Sequence, residues 1–156
     1  MGKPMLRSIL MGLVAGQRSM TPLAALAGAA RRGTLPHDTA EARLMAHPLI
    51  AAGGVTMAAA EIAGDKMKTA PDRTVFLGLL ARTITSGFAG AALAPPKRQL
   101  AGAALGIGAA IAASYVGLAA RQRAQRRWGQ TATGFVEDAI MTASANAIAH
   151  AKPARV

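Results

Sequence analysis

Apolar and polar positions along this chain fall into long blocks, with none of the two-residue alternation that marks half-buried strands. Four apolar blocks have membrane-crossing length: Ser8 to Ala30, Met45 to Gly64, Thr74 to Ala94 and Leu100 to Ala120. The last runs for twenty-one residues without a charge, matching the roughly 20 helical residues that cross a hydrocarbon core of about 30 Å. The separating stretches, Arg31 to Arg43, Asp65 to Arg73 and Pro95 to Arg98, collect proline and charge as loops do. A fifth block, Ala139 to Ala149, is only eleven residues long and reads as a short span, a re-entrant piece or an interfacial helix. The pattern predicts an all-α, polytopic membrane bundle of four to five short Ala/Gly-rich helices in one domain over residues 1–156. Ile9 to Ala15 (ILMGLVA) also resembles Val75 to Ala81 (VFLGLLA). This weak duplication suggests halves over 6–72 and 73–127, followed by a C-terminal helix over 134–150.

Composition sharpens the membrane reading. Hydrophobic residues make up 52% of the chain but aromatics only 3%, and there are 17 glycines; helices in lipid associate through small residues in this way. Gly102 and Gly106 form a G-x-x-x-G within the longest apolar block. The 18 Lys and Arg against 7 Asp and Glu raise nucleic acid as a partner. The basic residues, however, sit in short clusters between apolar blocks, not in the continuous stripe with stacking aromatics that phosphate backbones require. Basic loops are what the positive-inside rule leaves behind. On four spans the count is nine against five, with both ends cytoplasmic. Cysteine is absent, and His37, His47 and His150 have no ligand spacing, so neither a metal site nor a cofactor is expected. No hydrolase, metalloprotease or nucleotide-binding signature occurs, and an enzyme is the minority reading. Gln17 and Arg18 interrupt the first block, which argues for a retained helix and against a cleaved signal peptide.

That interruption, Gly16-Gln-Arg-Ser-Met-Thr-Pro22, carries the strongest functional signal. Pro22 disfavours helix at the residue before it, so the block is expected to split into half-helices. At the corresponding place the third block reads Arg82-Thr-Ile-Thr-Ser-Gly87. Paired breaks in two halves point to a transport site. Arg18 and Arg82, with Ser19, Thr21, Pro22, Thr83, Thr85 and Ser86, would offer guanidinium and hydroxyl donors to a carboxylate or phosphate. The competing readings are buried ion pairs, Arg18 with Glu61 or Asp65 and Arg82 with Glu137 or Asp138, or snorkelling to the membrane surface. Glu61 and Asp65 share a helix face, followed by Lys66, and suit either cation or proton coupling or a helix end meeting water. Glu137 and Asp138 suit the same coupling or the acidic start of a helix.

The order Ala15-Gly-Gln-Arg-Ser-Met-Thr-Pro22, Glu61-Ile-Ala-Gly-Asp-Lys66 and Glu137-Asp138 resembles the bacterial membrane proteins grouped as domain of unknown function 4126, over about Leu6 to Ala149. The resemblance implies a multi-pass protein of the bacterial inner membrane in which Arg18, Pro22, Glu61, Asp65, Lys66 and Glu137 are special positions; it implies no activity. The leading expectation is a small transporter or channel for an anionic solute or lipid head group. The alternatives are a non-catalytic membrane scaffold and a lipid-modifying intramembrane enzyme. Expected partners are membrane lipid, an anionic small molecule or lipid phosphate, and a second copy of the chain in a homo-oligomer such as a dimer.

Overall fold

The computed structural model describes residues 3–35, 38–64 and 76–151, and among these it contains seven α-helices and no strand. They are α1 (Lys3–Gln17), α2 (Thr21–Arg31), α3 (Ala40–Ala46), α4 (Pro48–Gly64), α5 (Phe76–Leu93), α6 (Gln99–Trp128) and α7 (Gln130–His150). The all-α expectation holds. Among the described residues, α5 and α6 are the helices long and apolar enough to cross a membrane; treating α3 and α4 as one bent span makes three.

The first apolar block doubles back. Arg7 of α1 donates to the carbonyls of Ile148 (2.6 Å) and Ala151 (2.9 Å) at the end of α7. Arg18, eleven residues later, meets Asp138 in the middle of α7. Arg32, just past α2, is back beside His150 at 2.9 Å. The chain therefore runs along α7 for about 16 Å, turns at Arg18–Met20 and returns, so Ser8 to Ala30 folds as a helical hairpin and not as one continuous helix.

The second block is also divided. His47 has φ −63° and ψ 129°, the extended conformation that a following proline imposes, and α3 and α4 meet at 79° across it. Thr39 starts α3 by accepting the Ala42 N–H at 3.2 Å, a standard side-chain cap. Helix α4 then runs antiparallel to α2: Gly54 faces Leu23 and Ala24, and Glu61 reaches the hairpin turn. The third block carries no break. Helix α5 is continuous through Arg82–Gly87; the segment lacks proline, and its hydroxyls bond back to their own helix, Thr83 to Leu79 (2.8 Å) and Thr85 to Ala81 (2.9 Å). The last block is the second half of a longer helix, since α7 begins at Gln130 after Gly129, which adopts φ 82°. Glu137 and Asp138 consequently lie within α7, not at its start.

Helix α6 is the spine against which α1 and α5 pack. The backbones touch: a Cβ on Gly12 would overlap the Gly106 carbonyl, and one on Gly90 would overlap the Gly102 carbonyl. The G-x-x-x-G face is thus consumed within the chain. Burial is inverted relative to a water-soluble protein. The core is dominated by alanine, with Met11, Leu26, Met45 and Leu93, while Phe76, Leu77, Leu100 and Val116 are more than two-thirds exposed. Such an apolar exterior is foreign to a soluble monomer and, with the two spanning-length helices, marks the chain as membrane-associated.

Candidate functional site

Charged and polar side chains from five helices converge on the hairpin turn. In an uninterrupted helix the Met20 N–H would bond the Gly16 carbonyl. Here the turn diverts it to Glu61 of α4, whose Oε2 accepts it at 2.9 Å while Oε1 accepts the Ser19 N–H (2.8 Å) and hydroxyl (2.7 Å). The freed Gly16 carbonyl takes the Arg82 Nε–H at 3.1 Å and the Ser114 hydroxyl at 3.2 Å. An acid thus sits at the positive end of α2 and a guanidinium at the negative end of α1, the polarity that helix dipoles favour. Gln17 donates to the Ala113 carbonyl at 2.7 Å and ties the turn to α6.

Arg18 is 2% exposed and pairs with Asp138, which excludes snorkelling. Arg82 is also buried and donates to the Gly78 carbonyl of its own helix at 3.0 Å. Next to Asp138, Glu137 pairs with Arg121 of α6 at 3.5 Å. Three arginines and three acids therefore surround the turn, and the layer is formally neutral. Of the charges weighed for ion pairs in the sequence, Arg18 takes an acid of α7, Asp138, and Glu61 binds the turn itself. Asp65 and Lys66 lie outside the described residues.

The expected anion ligands are only partly assembled. Arg18, Ser19, Thr21 and Arg82 are brought to the turn and buried, with Pro22 beside them in the first turn of α2. The hydroxyl protons of Thr83, Thr85 and Ser86 are committed to carbonyls of α5, and Ser19 gives its proton to Glu61. The Thr21 hydroxyl is buried without a protein partner. Sequence reasoning missed Ser114 and Arg121 as members of the layer. Their i, i+7 spacing with Gly117 between them puts all three on one face of α6, a signal masked by treating Arg121 only as the head of a basic loop.

Because Glu61 carries the turn, Glu61→Ala should cost about 2–3 kcal/mol, as the buried donors of Ser19 and Met20 lose a charged acceptor. Hydrogen exchange should show faster Ser19 and Met20 amides, with Glu61→Gln intermediate because one acceptor oxygen remains. Unchanged exchange in Glu61→Ala would refute this role. Comparison of the chain with family models, curated proteins and solved structures gave no match in any of the three.

Proposed function

We propose that the protein is a small membrane transporter or channel for an anionic solute or lipid head group, with the re-entrant turn as its working element. The observation that carries this reading is the buried charged layer at a helix break, where Arg18, Arg82, Glu61 and Asp138 meet. Ionisable groups at membrane depth are costly and mark solute pathways by default, and apolar side chains of similar volume would hold a purely structural layer equally well. Asp138 gives Arg18 a carboxylate partner, so a substrate carboxylate or phosphate would bind by replacing an internal group of the same chemistry. Proton or cation coupling through Glu61 is part of the proposal.

A second reading, a non-catalytic membrane scaffold, is favoured by the engagement of the Ser19, Thr83, Thr85 and Ser86 hydroxyl protons within the protein. Anion flux into proteoliposomes separates the two. The double variant Arg18→Ala/Asp138→Ala removes both charges together and is expected to fold. On the transport reading it is inactive, with flux at least tenfold below the unsubstituted protein. Full flux in the folded double variant would eliminate Arg18 as the anion ligand, and absence of flux for every anion tested with the unsubstituted protein would leave the scaffold.

A further inference from the structure

Beside the hairpin turn, at Gln17, an open groove lies between α6 and α7. It comprises two adjoining cavities of about 700 and 650 Å³ that share Gln17, Gly117 and Met141. Along α6 the groove extends from Ala112 to Trp128, about 24 Å at 1.5 Å per residue. That exceeds one leaflet of hydrocarbon, about 15 Å. Charge enters its walls at one end only. Both cavities are predominantly apolar, and the one toward the start of α1 is walled by Leu10, Leu13, Val116 and Ile148. At the other end lie the Arg121–Glu137 pair and Trp128.

The charge at that end is one-sided. Arg121, Arg123, Arg126 and Arg127 occupy the last turns of α6, and the last three are exposed. Glu137 is the one acid lining this part of the groove, since Asp138 is turned inward to Arg18. Arg127 lies over the Trp128 ring at 5.5 Å. An indole beside arginines at the end of an apolar helix is the arrangement found where a chain meets the membrane surface.

We propose that this groove is a binding site for an anionic phospholipid, its acyl chain lying between α1, α6 and α7 and its phosphate on Arg121. A forked guanidinium bonds phosphate through paired donors, and the neighbouring arginines add attraction that a zwitterionic lipid does not match. Glu137 is the phosphate's competitor for Arg121. Arg121 and Glu137 belong to the charged layer around the turn, but neither is among the four charges, Arg18, Arg82, Glu61 and Asp138, on which the transport proposal rests, and lipid quenching at Trp128 is read separately from anion flux.

Trp128 is the chain's single tryptophan and lines the groove, so its fluorescence reports the occupant directly. The full chain would be reconstituted in phosphatidylcholine vesicles, and quenching by brominated phosphatidylglycerol compared with quenching by brominated phosphatidylcholine. The expected preference for the anionic lipid is at least fivefold. It should fall roughly fivefold on losing one arginine in Arg121→Gln or the exposed Arg126→Gln, and rise in Glu137→Gln. The Arg126 variant keeps the test intact if Arg121→Gln fails to fold. Equal quenching by the two lipids would overturn the proposal. So would protection of Trp128 from both lipids in a dimeric protein, which would show a second copy seated in the groove.

Discussion

Arg18→Ala is expected to destabilise the protein by about 3–5 kcal/mol, and Asp138→Ala by a similar amount, because each takes a buried counter-ion from the other charge. Arg18 is 2% exposed and Asp138 8%, so water cannot replace the lost partner. Removing both charges should be far milder. Arg18→Ala/Asp138→Ala is expected to lie within about 2 kcal/mol of the unsubstituted protein, since replacing both members of a buried pair with apolar groups is often close to neutral. The cavity left by the arginine stem keeps it from full recovery. Thermal unfolding in detergent, followed by helical signal, measures all three variants. The coupling between the two sites is then the departure from additivity. Additive losses, with the double variant worse than either single one, would mean that the pair is not the unit that holds α7 against the hairpin turn. The same double variant serves the flux measurement because its folding and its activity are read separately.

The second large effect concerns a glycine. Gly106 lies where α1 and α5 both meet α6: its carbonyl fills the space a Cβ on Gly12 would need, and its own Cβ position is blocked by the Ser86 carbonyl. Backbone atoms cannot swing aside as a flexible side chain can. Gly106→Leu should therefore cost at least about 3 kcal/mol, the upper end of overpacking penalties, and abolish recovery of monodisperse protein. Two residues away, Gly108 faces open space. Gly108→Leu should be neutral or stabilising by up to about 1 kcal/mol, because glycine is the poorer helix former. Comparable behaviour of the two variants would show that the close approach of α1, α5 and α6 does not limit stability. The contrast also bears on assembly: the Gly102/Gly106 face is already occupied by α5, so association of copies must use another surface.

Much of the local structure is legible in the residues. The break at Gly16 to Pro22 follows from Pro22 and the polar run before it, and α2 starts there with proline in its first turn. The division at His47 was equally open to reading, because Pro48 restricts its predecessor; the apolar character of Met45 to Gly64 masked it. The supposed break at Arg82–Gly87 shows the limit of composition as evidence. Polar residues inside an apolar block do not interrupt a helix when their hydroxyls return to its own carbonyls, and without proline nothing removes a backbone donor.

The sequence by itself determined that the chain is helical, apolar on the outside, packed through small residues, and interrupted at Arg18 by a polar turn; each of these follows from residue type and spacing over a few turns of chain. Only the tertiary structure decided that the interrupted block doubles back. A break specifies where a helix stops, whereas the direction of the next helix depends on what packs beside it, here α7, with Arg7 and Arg32 both at its far end. The partners of the charges were likewise decided by packing. Asp138 is 120 residues from Arg18, and Glu61 is 42 from Ser19. With three acids and three arginines of equal chemical suitability around one turn, proximity set by the crossing of α6, α7 and the hairpin selects the pairs.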